Sequence, residues 1–295
     1  MEIDICALSE EDIPHAMELK NALGWNQTPE DWRRFLLLSP EGSFKAVRGE
    51  ELVATAIAYV FDRVCWIGMV IVKEGCRHQG VGRQIMSRCL QHGAEKDCSL
   101  IVLDATREAV SLYGRLGFRP EFLVGTARGK VSAGSIEVLE RSHPGIRRIE
   151  ARDLDAIVSL EACASGAVRE ALLYHLVKQY PDMGFVCHNP EGKLEGFVLH
   201  RPGSHSIQVG PMIAVDDETA ESLLSATFSD LPAAVGTGAE VPVALTVPMN
   251  NPGMQKLIRS CGLAVVPRLT RMSRGRKRLH AREDMVYALS GPEKG

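Results

Sequence analysis

The sequence predicts an α/β protein of two tandem, related domains, each a mixed, mostly antiparallel central sheet flanked by helices. Three observations carry this. The chain has 295 residues, enough for two cores of ordinary domain size. Its strand-like and helix-like runs are mixed without strict βαβ alternation, so a purely parallel sheet is not expected. The second half also repeats the first: "VGPMIAV" matches "IGMVIVK" with Gly210 on Gly68, and "EGKLEGFVLH" matches "GEELVATAIAY" with Leu194 on Leu52, both 142 residues downstream. Further on, "NPGMQKLIRSCGL" echoes "REAVSLYGRLGF", with Gly262 on Gly117. A repeat this long means two related domains rather than an array.

In order, the first half opens with a short strand at 3–8 and an amphipathic helix over 11–23. "TPEDWRRFLLL" then starts a second helix, with Thr28 as N-cap, Pro29 at the first helical position and early acids. "SFKAVR", "LVATAIAYVF" and "VCWIGMVIV" read as consecutive strands. A glycine turn leads into a helix over 81–93, followed by the strand "LIVLDA", a helix over 107–116 and a strand at 118–124. The glycine-rich and charged segment 125–145 reads as a linker, giving domains at 1–127 and 146–295.

Composition narrows the class. Hydrophobic content of 45%, charged content of 24% and a net charge of -3 describe an ordinary globular chain with no overall pull toward nucleic acid or anionic lipid. With no bilayer-length apolar run and no leader, the expectation is a cytoplasmic protein with no nucleic-acid or membrane partner. The eight cysteines form no CxxC or Cys/His cluster, so reduced, mostly buried thiols and no metal are expected. The basic run "RMSRGRKRLHAR", 271–282, reads as a solvated loop ahead of a ligand patch.

The chemistry concentrates in "CRHQGVGRQIM", residues 76–86, directly after a buried strand. Gly80 and Gly82 let backbone N–H groups approach what a side chain would exclude, and a helix start offers unpaired donors and partial positive charge. An anion fits there, although Gly-x-Gly alone is equally a tight turn; neither the Rossmann nor the P-loop pattern is present. After "GPMIAV" the second half runs straight into "DDETAESLL", without Arg-x-x-Gly-x-Gly, and its late helix has no counterpart of Tyr113. The second domain is therefore expected to lack the anion site.

The order of apolar strand, Arg77-x-x-Gly80-x-Gly82, helix, strand and "AVSLYGRLGF" resembles the GNAT superfamily of acetyl-CoA-dependent N-acetyltransferases. Leu112, Tyr113, Gly117 and Phe118 match that family's later helix motif, and the resemblance covers about residues 1–125. "GWNQT", "WIGMVIV" and "LDAT" are similar to a two-domain subgroup with a divergent C-terminal GNAT-like domain.

The resemblance implies acetyl-CoA as co-substrate. Its pyrophosphate would meet the N–H groups of Gln79, Gly80, Val81, Gly82 and Arg83, in a coenzyme-binding turn that also includes Arg77 and His78 and in which Arg77 and Arg83 add charge or are surface decoration. Its pantetheine amides would pair with Val70, Ile71 and Val72, splayed from the next strand, with the Val70 N–H polarising the thioester carbonyl. Thr106, where many members carry asparagine, and Ala109 stand at a further coenzyme contact, which the departure puts in doubt. Tyr113 would protonate the leaving thiolate; its alternative is core packing. Asp104 is a candidate base or the cap of the following helix.

Trp25, Asn26 and Gln27 are candidates for the acceptor pocket, with Trp25 alternatively a helix staple. Trp66 and Tyr59 are pocket walls or core. Cys76 would face phosphates, so no acetyl-cysteine is expected. The implied function is acetyl transfer to a primary amine of a small molecule or peptide by direct attack. The alternative is a non-catalytic acyl-CoA-binding regulatory module.

Overall fold

The apolar runs of the first half become strands in the computed structural model, which describes residues 2–132, 143–235, 240–275 and 281–293. Two units separate: Met1–Glu121 with Arg271–Lys277, and Phe122–Thr270 with Arg278–Glu293. The first unit thus takes in residues from far along the chain, where the sequence reading divides the chain at 127 and 146.

In the first unit β1 (Asp4–Ala7), β2 (Ser43–Arg48), β3 (Glu51–Phe61) and β4 (Val64–Val72) are antiparallel neighbours in that order, and β5 (Leu100–Ala105) joins β4 in parallel. The helices are α1 (Ile13–Asn21), α2 (Pro29–Leu38), α3 (Val81–Glu95) and α4 (Val110–Arg115). α2 starts where expected because Thr28 and Asp31 cap each other: the Asp31 N–H donates to Thr28 Oγ1 at 3.2 Å and the Thr28 N–H to Asp31 Oδ2 at 3.0 Å. α3 lays Val81, Ile85, Met86 and Cys89 against Ala54, Ala56, Ile67 and Leu103, which makes one side of the sheet a closed core. α4 begins three residues later than expected, because residues 106–109 form a turn in which the Ala109 N–H donates to the Thr106 carbonyl.

The second unit holds β6 (Arg119–Val131, its first residues in the first unit), β7 (Ile146–Arg148), α5 (Leu154–Ser165), α6 (Glu170–Gln179) and β8 (Gly184–His188). β9 (Leu194–Arg201), β10 (Ile207–Ala214), α7 (Asp217–Val235), β11 (Val241–Pro248), α8 (Pro252–Ser260), β12 (Ala264–Gly275) and β13 (Val286–Ala288) follow. Its strands run β6-β11-β10-β9-β8-β7; β10 and β11 are parallel, the other neighbours antiparallel. Met212, Leu223, Phe228, Leu245 and Ile258 fill its core.

Three expectations are corrected. Residues 125–131 are strand rather than linker, while 133–142 lie outside the described residues. Residues 271–275 are the end of β12 beside β5, not a solvated loop, and Arg271 is buried there; 276–280 lie outside the described residues. Of the free cysteines, 65, 76, 89 and 187 are buried and the other four are partly or fully exposed. Among the described residues no helix is long and apolar enough to cross a membrane.

Candidate active site

The parallel ladder between β4 and β5 stops early. Its last pair is Ile67 with Leu103, yet β4 runs on to Val72 and β5 to Ala105. Just past that point β4 carries a bulge: Gly68 pairs with Ile57 and Ile71 with Thr55, so Met69 and Val70 together oppose Ala56. Met69 sits at φ 51, and its carbonyl accepts a 2.9 Å hydrogen bond from the buried Thr55 hydroxyl, which pins the bulge. No local pattern in the sequence marks the Thr55 tether.

Residues 70–72 lead into the glycine turn. Arg77 Nε donates to the Val72 carbonyl at 3.1 Å, and Gln79 links Arg48 to the Gly75 carbonyl, so both side chains brace the loop from outside. His78 and Gly80 take positive φ values of 61 and 85, and Gly80 is the N-cap of α3 with no side-chain cap bond. The first-turn N–H groups of Val81, Gly82 and Arg83 therefore have neither an intrahelical nor a side-chain partner in the cap. A Cβ on Gly82 would lie 3.6 Å from both Val72 Cγ2 and Leu112 Cδ2, so β4, the turn and α4 meet at this glycine. This bare donor set beside a splayed strand fits a long thioester carrying a pyrophosphate. Cys76 is corrected: it points into the core and away from the turn's donors.

Tyr113, on α4, is buried against Phe118 with ring centroids 6.0 Å apart. Burial, with Cys89 nearby, pushes its phenol pKa well above the usual tyrosine value, so it is fully protonated at neutral pH. Asp104 neither caps α4, whose N-cap is Ala109, nor stands open. Arg271 holds both its oxygens, Nε to Oδ1 at 2.5 Å and NH2 to Oδ2 at 3.1 Å, and the same guanidinium lies 4.4 Å over the Trp66 ring. A carboxylate held on both oxygens by a guanidinium is stabilised in its charged form and is a weaker proton acceptor than a free one, which argues against Asp104 as the base. Thr106 is half-buried and its carbonyl accepts from the N–H groups of Ala109 and Val110, and Ala109 lies half-buried at the start of α4.

Two family models match the chain. Residues 10–118 match the "Acetyltransferase (GNAT) family" and residues 157–288 an "Acetyltransferase (GNAT) domain". The chain belongs to the GNAT family. It is an acyltransferase with two GNAT domains in tandem. Among relatives, it is 23% identical over 263 residues to the uncharacterized N-acetyltransferase YitH of Bacillus subtilis (strain 168), covering 88% of this chain and 87% of that protein. It is 22% identical over 276 residues to holothin acyltransferase of Pseudoalteromonas sp. (strain SANK 73390), covering 92% and 87%. In fold it is similar to a putative acetyltransferase from Pyrococcus horikoshii, with a TM-score of 0.81 and 20% identity over 99% of this chain and 96% of that one. A tandem GNAT protein from the clavulanic acid biosynthesis pathway shares the fold with a TM-score of 0.66 and 11% identity over 93% and 98%.

In the first GNAT unit the segment between α1 and α2, where the acceptor residues are expected, is tied down. Lys20 Nζ donates to the Trp25 carbonyl at 3.0 Å, and the buried Asp31–Arg34 pair, at 2.6 Å, anchors the start of α2. Trp25 and Asn26 are half-buried and Gln27 is buried. Trp66 and Tyr59 pair across β3 and β4 and are both core, Trp66 under Arg271. A groove of 680 Å³ lies along α1, lined by Glu18, Leu19 and Leu52 and, from the predicted coenzyme set, by Ile71, Val72 and Arg77. None of the four predicted acceptor residues lines it.

Proposed function

We propose that the first unit transfers an acetyl group from acetyl-CoA to a primary amine of a small molecule or peptide by direct attack. The observation that carries this reading is the early end of the β4–β5 ladder followed by the Met69 bulge, which directs the strand's free edge toward the uncapped start of α3.

In this reading the N–H groups of the 79–83 turn hold the pyrophosphate, with Gly80 and Gly82 keeping side chains out of its way. Residues 70–72 pair with the pantetheine amides as a strand edge pairs with a peptide. The Val70 N–H donates to the thioester carbonyl oxygen as negative charge grows there, and the pinned bulge pays no reorganisation at that moment. The amine nitrogen forms its bond to the carbonyl carbon as the C–S bond breaks. Tyr113 donates its proton to the departing sulfur and regains one from solvent. With Asp104 held by Arg271, the amine's proton passes to water. Proximity of two bound substrates supplies much of the acceleration.

Calorimetric titration with acetyl-CoA tests the assignment. Wild type should take up one equivalent and Gly82→Trp none, because an indole there must fill the space between Val72 and Leu112 that leads to the donors. Equal binding by both would remove the coenzyme from this turn. Release of free thiol across a panel of primary amines then identifies the acceptor.

A further inference from the structure

The second unit repeats the splay of the first, but its cleft is filled. The parallel ladder between β10 and β11 ends at Val209 with Leu245, each 142 residues downstream of Ile67 and Leu103, the last pair of the β4–β5 ladder. A bulge again follows, between Val209 and Met212. Into this cleft runs "EDMVYALS", residues 283–290. β13 pairs antiparallel with β10, Met212 with Ala288 and Ile213 with Val286, while the Leu289 N–H donates to the Thr246 carbonyl of β11 at 2.8 Å.

The cleft is shaped for that strand. A Cβ on Gly210, the counterpart of Gly68, would stand 2.2 Å from the Leu289 carbonyl oxygen. Asn251 Nδ2 donates to the carbonyls of Asp284 and Val286 at 3.1 and 3.0 Å, and Arg201 to that of Ser290 at 2.9 Å. Tyr287 lies at the head of α7, where its hydroxyl donates to Asp217 Oδ1 at 2.6 Å. That helix start is also closed to anions: Asp216 caps it through the Thr219 N–H, and Asp217 and Glu218 occupy its first turn.

We propose that the second unit's cleft is a site for an extended peptide strand, filled by residues 283–290 of its own chain in the place corresponding to the acyl-CoA arm in the first unit. Strand addition satisfies the splayed backbone edges that a pantetheine arm would otherwise satisfy. The second unit accordingly binds no acyl-CoA. This comparison rests on the pantetheine position proposed above, whereas the strand's own occupancy does not.

Hydrogen–deuterium exchange on the full chain, with and without acetyl-CoA, tests both parts. The amides of 286–289 should be protected in wild type and unmoved by acetyl-CoA. Asn251→Asp keeps the oxygen that caps α8 at the Met254 N–H but loses both donations to the strand, so protection in 283–290 should fall by about tenfold while α8 keeps its own. Should that variant not fold, Tyr287→Phe, which removes one contact with Asp217, should show the same local loss. Exchange of 286–289 at the rate of a free tail, or loss of their protection on adding acetyl-CoA, would each overturn the proposal. If wild type binds no acetyl-CoA at all, the coenzyme reading of the first unit fails, and protection of 286–289 still decides whether the strand fills the cleft.

Discussion

At Tyr113 a single oxygen separates two roles. Its ring is packed in the core, so Tyr113→Phe keeps the packing and removes only the hydroxyl. If the phenol protonates the departing thiolate, kcat should fall by about 10²-fold or more with acetyl-CoA affinity unchanged within about twofold. Stopped-flow thiol release beside equilibrium binding separates these, and full activity would leave Tyr113 a packing residue. Gly82 differs: a Cβ there meets only ordinary contacts, so the packing around it does not itself demand glycine. The side chains of Arg77 and Gln79 donate to the carbonyls of Val72 and Gly75, which steadies the turn and leaves its backbone N–H groups as the donors on offer.

Among the elements, β4 and β5 show where sequence reasoning reaches and where it stops. "VCWIGMVIV" and "LIVLDA" are read to the residue, because continuous apolar runs bounded by turn signals leave little choice. The bulge in β4 opposite Ala56 of β3 has no signature, since Met69 at positive φ is an unexpected residue for that conformation. β6 is misread for the opposite reason: Gly125 and Gly129 signal a loop, but here they leave room for the side chains of Val265 and Leu263, which would stand 2.8 and 2.5 Å from an added Cβ. The Asp104–Arg271 pair joins residues too distant for any local pattern, and the basic run around Arg271 resembles a solvated segment.

That pair yields a prediction at the same scale. Asp104→Asn leaves a buried guanidinium without its counter-charge and should destabilise the protein by about 3–5 kcal/mol, while Asp104→Leu with Arg271→Met should recover much of the loss. Chemical denaturation measures both. If Asp104→Asn keeps its stability but loses turnover, the carboxylate acts in the chemistry after all.

Taken whole, the chain joins two versions of one architecture, a first unit with an open cleft and a second with a filled one. Its stability should depend on pH through His200, buried in the second unit. Burial holds the imidazole at a pKa of about 4, below the usual 6.5, against a partial pull upward from Asp230. The unfolded chain therefore binds the proton first. Stability is full above about pH 6.5 and falls as pH drops toward 4, by about 3 kcal/mol over the interval. His200→Gln should flatten this limb in denaturant titrations run from pH 7 to 4; an unchanged slope would assign the dependence to other groups.

The end of β12 beside β5 also sets an order of events during synthesis. Asp104 leaves the ribosome 167 residues before its partner Arg271. At roughly 5–20 residues per second, the edge of β5 waits on the order of ten to thirty seconds for the strand that covers it. Until then the nascent first domain presents an unpaired β-edge and a carboxylate without its cation, the kind of surface on which chains join wrongly. The enzyme's first domain is thus completed by residues made long after its own, and the interval between them is where a chaperone would matter most.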